Sequence, residues 1–174
     1  MKNTVTVRGN LVKGYRVASQ PSRDYPEYGT IEKQKPIFKE LGFNDIDKVY
    51  NGTLNILIFP KTFEVLKPKI TFRDVEWTNL HPRETFSFSK CVITFNDVQY
   101  NGWVYYPYPE TKKRHFQNPF LIEILAEKIP DIKYGNKVGI RFDRDEISIN
   151  SPSLIFILRH ITILFKYLKY MFDF

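Results

Sequence analysis

The middle of the sequence is a succession of short strand-like runs with no alternating strand-helix-strand rhythm between them. The runs are 52–58, Lys69–Phe72, Val75–Thr78, Thr85–Phe95, Val98–Tyr106, Leu121–Leu125 and a last strand entered through Gly135-Asn136 and ending at Phe142. Consecutive strands without crossover helices pair antiparallel, and every strand needs an apolar face to bury. A closed or nearly closed β-barrel of about eight short strands satisfies both demands. Asn96-Asp97 has the composition of a tight hairpin turn. At the start, Thr4–Arg8 and Leu11–Val17 flank Gly9-Asn10 and read as an opening hairpin.

One short helix interrupts this pattern. Ile31, Ile37, Phe38 and Leu41 stand at near-helical spacing, with Thr30 as the expected N-cap and Gly42 as the residue just past the end. Pro36 removes a backbone donor, so the regular part is expected in the turns after it. Residues 18–30, with two prolines, a glycine and no apolar periodicity, read as a long surface loop.

The 174 residues suffice for one domain, and 43% hydrophobic with 16% aromatic content excludes a disordered chain. The barrel is expected over 1–142, a charged linker over 143–150 and an amphipathic helix over 151–174. A net charge of +7 attracts polyanions at long range but does not choose among them. The basic residues are spread along the chain, with Lys112-Lys113-Arg114-His115 the tightest group, so a nucleic-acid partner is not expected. A single cysteine, Cys91, and an N-terminus without an apolar run suit the cytoplasm.

Ser151-Pro152-Ser153 opens the last segment as a helix start. On a helix, Arg159, Thr162, Lys166, Lys169 and Asp173 form one narrow polar stripe, and nearly everything else is apolar. Basic residues interrupt the segment too often for a membrane span. Three placements stay open: packing on the barrel, pairing with another chain as in a homo-oligomer, or lying on a membrane surface.

Chemistry is sparser. In Tyr50–Pro60, strand alternation puts Leu54, Ile56 and Ile58 on one face and Thr53, Asn55 and Leu57 on the other. Thr53 and Asn55 then offer adjacent neutral oxygens, able to hold a hydrated cation or a sugar hydroxyl, or simply to finish the turn. Glu123, central in an apolar strand, either alternates out to solvent or lines a cavity with a hydrogen-bonding partner. Tyr100, Trp103, Tyr105, Tyr106 and Tyr108 fit sheet packing or ring stacking. No phosphate-loop, dinucleotide or nucleophile-elbow motif is present, and His81, His115 and His160 are too dispersed for a local zinc signature. Cys91, inside a strand-like run, reads as a packed thiol.

Four segments taken together carry a resemblance: Val7-Arg8-Gly9-Asn10-Leu11-Val12-Lys13-Gly14, Phe38-Lys39-Glu40-Leu41-Gly42-Phe43, Gly52-Thr53-Leu54-Asn55-Ile56 and Leu121-Ile122-Glu123-Ile124-Leu125-Ala126. In order and approximate spacing they resemble the archaeal-type CTP-dependent riboflavin kinase family, over about residues 5–142. Uncharacterised bacterial proteins that share the Lys112–Pro119 segment are similar too. The resemblance implies a cradle-loop β-barrel that transfers the γ-phosphoryl group of CTP to the 5′-hydroxyl of riboflavin. It implies Mg²⁺ held by Thr53 and Asn55, and a flavin contact from Glu123, with His115 near the place of the family's preceding threonine. The glycine-rich nucleotide loop maps onto Gly14, Tyr15 and Arg16, where Gly14-Tyr15-Arg16-Val17-Ala18 keeps one glycine of three. The family's second nucleotide-contacting segment reads Ala126-Glu127-Lys128-Ile129-Pro130-Asp131, shortened and without arginine. A flavin or small-ligand module without catalysis, and an interaction protein acting through its last helix, are the alternative readings.

Overall fold

The computed structural model describes residues 3–14, 18–19, 21, 25, 27, 29–111 and 118–161. In chain order the elements are β1 (Thr4–Val12), α1 (Thr30–Glu40), a 3₁₀ helix (Asn44–Lys48), β2 (Leu54–Leu57), β3 (Thr62–Val65) and β4 (Ile70–Val75). They continue with β5 (Glu84–Phe95), β6 (Val98–Pro107), β7 (Leu121–Ala126), β8 (Lys137–Asp143), β9 (Ile147–Asn150) and a helix, α2, at 154–161.

Strands β5-β6-β7-β2-β1-β8 are neighbours in that order, and β8 returns to pair with β5, closing an antiparallel barrel. The edge of β5 serves two partners. Its second half pairs with β8 through Cys91–Thr94, and its first half pairs with β4 through Glu84–Phe88. Strands β3 and β9 form a separate ribbon whose Phe63 and Ile149 pack on the barrel core.

The barrel is filled by β-branched and aromatic residues from alternate positions, including Val7, Ile56, Ile93, Val104, Ile122, Ile124, Ile140 and Phe142, all at most 1% exposed. Leu54 and Ile58 join that cluster and Leu57 a different one, so β2 has the two faces its alternation predicts. The hairpin at Asn96-Asp97 is also as expected. Both residues have positive φ, 48° and 61°, the twist a two-residue turn needs between right-twisted strands.

A second layer lies outside the barrel. Helix α1 and the 3₁₀ helix place Ile31, Phe38, Phe43 and Ile46 over Phe86, Phe88, Trp103 and Leu125. Phe38 meets Phe86 and Phe88 edge-on with ring centroids 5.1 Å apart in each pair. The helix ends as its glycine predicts: at Gly42 φ is +100°, and the amides of Gly42 and Phe43 donate to the carbonyls of Lys39 and Phe38.

Several expectations are corrected. The opening hairpin is one continuous strand, β1, with Gly9 in its middle facing Val138 of β8. The glycine answers to crowding: a Cβ there would lie 2.6 Å from both Ile56 Cγ2 and the Leu57 carbonyl oxygen. Helix α1 runs through Pro36 and starts at Thr30, with Gly29 as its N-cap. Burial of Ile31 and Phe38 on either side outweighs the hydrogen bond that proline removes. Val75–Thr78 is not a strand, because β4 stops at Val75 after an irregular step in which Asp74 adopts φ 52°. Residues 143–150 are not a linker: the charged residues turn the chain, and Ile147, fully buried, draws the following residues into β9. The nucleus of the last helix is as expected, with the Ser153 hydroxyl accepting from the Phe156 amide at 3.3 Å.

Gly9→Ala is expected to lower the unfolding free energy by about 1–3 kcal/mol, since a methyl group must displace Ile56 or the strand behind it. Urea unfolding checks this, and an unchanged midpoint would contradict the packing described.

Candidate functional site

Directly opposed residues of antiparallel neighbours share a face of the sheet. Ile56 opposes Ile122 and Val104 opposes Ile124, all inside the barrel. Asn55, which opposes Glu123, therefore stands on the outer surface, and continuing the β6–β7 register brings Tyr105 beside Glu123 on that surface. The row Tyr105, Glu123, Asn55 crosses three adjacent strands.

Asn55 is held locally. Its Nδ2 donates to both the carbonyl oxygen and the Oγ1 of Thr53, each at 3.3 Å. Val12 of β1 opposes Asn55, and two residues on Gly14 presses against the same carboxamide. A Cβ at Gly14 would come within 2.6 Å of Asn55 Nδ2, so only glycine leaves the amide its place. Gly52 is similarly tight: a Cβ there would lie 2.7 Å from Ser19 Cβ, where the segment after β1 crosses the turn before β2.

The inner end of the row is dry. Tyr105 is 6% exposed and Gln34, from α1, 2%; the Tyr105 hydroxyl donates to Gln34 Oε1 at 3.0 Å. Burial pushes the Tyr105 phenol well up, and the nearby charges of Glu123 and Glu84 push in the same direction. Glu84, itself buried, accepts from the indole nitrogen of Trp77 at 3.2 Å. Asn55 and Glu123 are half-buried. The site thus grades from an enclosed phenol and amide to accessible neutral and acidic oxygens.

Of the residues singled out from sequence, Thr53, Asn55, Glu123 and Gly14 meet at this one place; His115, Tyr15 and Arg16 lie outside the described residues. Tyr105 and Gln34 were not singled out as a pair. Their signal was faint: Gln34 sits three residues after Ile31 and four before Phe38, a polar side chain on the apolar face of the helix. Trp103 and Tyr105 belong to the buried layer under α1, and Tyr106 packs edge-on against Phe63 and Tyr108. These aromatics serve packing. Cys91 is 4% exposed, and burial raises its thiol well above the ordinary range.

Among the described residues, no group of three histidine, cysteine, aspartate or glutamate side chains is placed to hold a metal ion. Thr53 and Asn55 are neutral donors of another kind. As they stand the amide nitrogen faces the threonine; a half-turn of the carboxamide sets Oδ1 beside Oγ1, a donor pair that fits a Mg²⁺ ion retaining most of its water. A separate cleft of about 590 Å³ opens between the outer face of β5, β6 and β8 and the 3₁₀ helix. Lys48, Lys90, Trp103, Arg141 and Glu146 line it, and none of the clustered residues does. Among the described residues, no helix is long and apolar enough to cross a membrane. The chain matches no protein-family model and no curated protein.

Two outcomes are expected. Tyr105→Phe leaves Gln34 Oε1 buried without its donor and should cost about 1–3 kcal/mol at pH 7. The native state holds Tyr105 protonated to a higher pH than the unfolded chain does, so its contribution is intact below about pH 10 and is lost as pH rises further. Urea unfolding at neutral and alkaline pH should therefore show the variant losing less on alkalinisation than the parent; equal losses would refute the assignment. Cys91 should resist a thiol reagent in the native protein and react at once in denaturant, and rapid native labelling would contradict its burial.

Proposed function

We propose that the chain is a riboflavin-kinase-like phosphotransferase, transferring the γ-phosphoryl group of CTP to the 5′-hydroxyl of riboflavin. One observation carries this reading: the residues matching the family's metal and flavin positions, Thr53, Asn55 and Glu123, stand together on neighbouring strands with Gly14 against them. Three segments far apart in the chain, 7–14, 52–56 and 121–126, supply them, and the pairing of β2 with β1 and with β7 brings them side by side.

In the proposed reaction the acceptor 5′-oxygen bonds to the γ-phosphorus, the bond to the β,γ-bridging oxygen breaks, CDP leaves and the hydroxyl proton passes to solvent. Mg²⁺, held by Thr53 Oγ1 and Asn55 Oδ1, would supply neutralisation of phosphate charge. Gly14 leaves the space in which Asn55 can turn its amide. Glu123 accepts a hydrogen bond from the flavin, and the Tyr105–Gln34 pair closes the inner end of the site against water. Positioning and charge neutralisation suffice for this chemistry without a strong base. The reaction is assigned to the cytoplasm, which suits a free thiol at Cys91.

A second reading has its own support. Gly14-Tyr15-Arg16-Val17-Ala18 places bulky residues where the family's backbone approaches phosphate, which favours a module that keeps the flavin and has lost CTP.

The test is calorimetric titration of riboflavin, then of CTP with Mg²⁺, with FMN followed in the same samples. The kinase reading expects binding of both and FMN formation, lowered about a hundredfold or more in Thr53→Ala and Asn55→Ala. Riboflavin binding without CTP binding or turnover would establish the module instead. Binding of neither would overturn both.

A further inference from the structure

We propose that helix α2 seats the protein on an anionic lipid surface. Among the described residues, its ring contacts to the barrel come from one side. Phe156 and His160, one turn apart, each lie 6.2 Å from the Phe120 ring and 4.2 Å from one another, and Phe156 packs on the small cluster of Val12, Leu57, Phe120 and Leu121. Away from that contact, Leu154, Ile155 and Leu158 are 70%, 66% and 55% exposed.

Helical geometry orders these groups around the axis. Leu154 and Leu158 lie on one line a turn apart, roughly opposite Phe156 and His160, and Ile155 and Arg159 lie on the line between, both lines exposed. Arg159 is exposed, and no ion pair to it exists among the described residues. An apolar line with a cation beside it is the arrangement by which an amphipathic helix lies in a lipid headgroup layer, aliphatic side chains inward and the cation at the phosphates.

Charge selects lipid over a second copy. From 151 to 174 the sequence holds Arg159, Lys166 and Lys169 against the single acid Asp173, and the whole chain carries +7. Two copies joined at this helix would bring like charges together, whereas an anionic surface answers both the aliphatic line and the cations.

The full chain is tested by co-sedimentation with vesicles of phosphatidylcholine alone and of phosphatidylcholine with about 30% phosphatidylserine, where binding to the mixed vesicles should be about tenfold stronger or more. High salt should weaken it. Leu154→Ser combined with Leu158→Ser, and separately Arg159→Gln, should each reduce binding severalfold while leaving the urea unfolding midpoint unchanged, because these side chains are exposed. Equal binding to both vesicle types, no binding to either, or undiminished binding by the double variant would overturn the proposal. So would light scattering that shows a dimer which the double variant dissolves, since the second copy would then be the occupant.

Discussion

The return of β8 onto β5 is the contact on which the architecture depends. Through Phe142, Arg141, Ile140 and Gly139 against Cys91–Thr94, it closes a row of strands that would otherwise end in two open edges. Closure sets a narrow interior, and the interior is filled with isoleucine, valine and phenylalanine. Side chains of that size fit only if the wall yields somewhere. Gly9 yields to Ile56 and Ile58, and Gly102 to Ile93 and Ile124, whose methyl groups occupy the space a Cβ would need.

Because β5 is longer than the barrel requires, its first half projects beyond β8 and recruits β4. The projecting sheet and the outer face of β6 and β7 present Phe86, Phe88, Trp103 and Leu125, too much apolar surface to leave wet. Helix α1 covers it. The polar row across β6, β7 and β2 falls at the margin of that cover, so one end is dry at Tyr105 and Gln34 and the other half-open at Asn55. A buried Tyr105 hydroxyl needs its acceptor, and the helix that supplies the apolar cover also supplies it.

Much of this was legible where local rules speak alone. The tight-turn composition of Asn96-Asp97, the helix stop at Gly42 and the two-faced β2 all follow from backbone preference or side-chain alternation, which a few neighbouring residues determine. Where a second segment decides, local rules mislead. Gly9-Asn10 has turn composition, yet Gly9 is needed for the approach of β2. Pro36 is a helix breaker held inside a helix by the packing of Ile31 and Phe38. Asp143–Glu146 has linker composition, yet the turn it makes lets Ile147 reach the core.

The candidate site divides in the same way. Thr53 beside Asn55 is a matter of two residues at the start of one strand, and the sequence by itself determined that pair, the mainly β architecture and the start of the last helix. That Glu123 stands opposite Asn55, that Gly14 presses on its amide, and that Gln34 meets Tyr105 across 71 positions of chain were decided by the tertiary structure alone. Alternation and turn chemistry act over a few residues, whereas strand register and the seat of a helix are chosen by the closure of the barrel and the burial of its outer face.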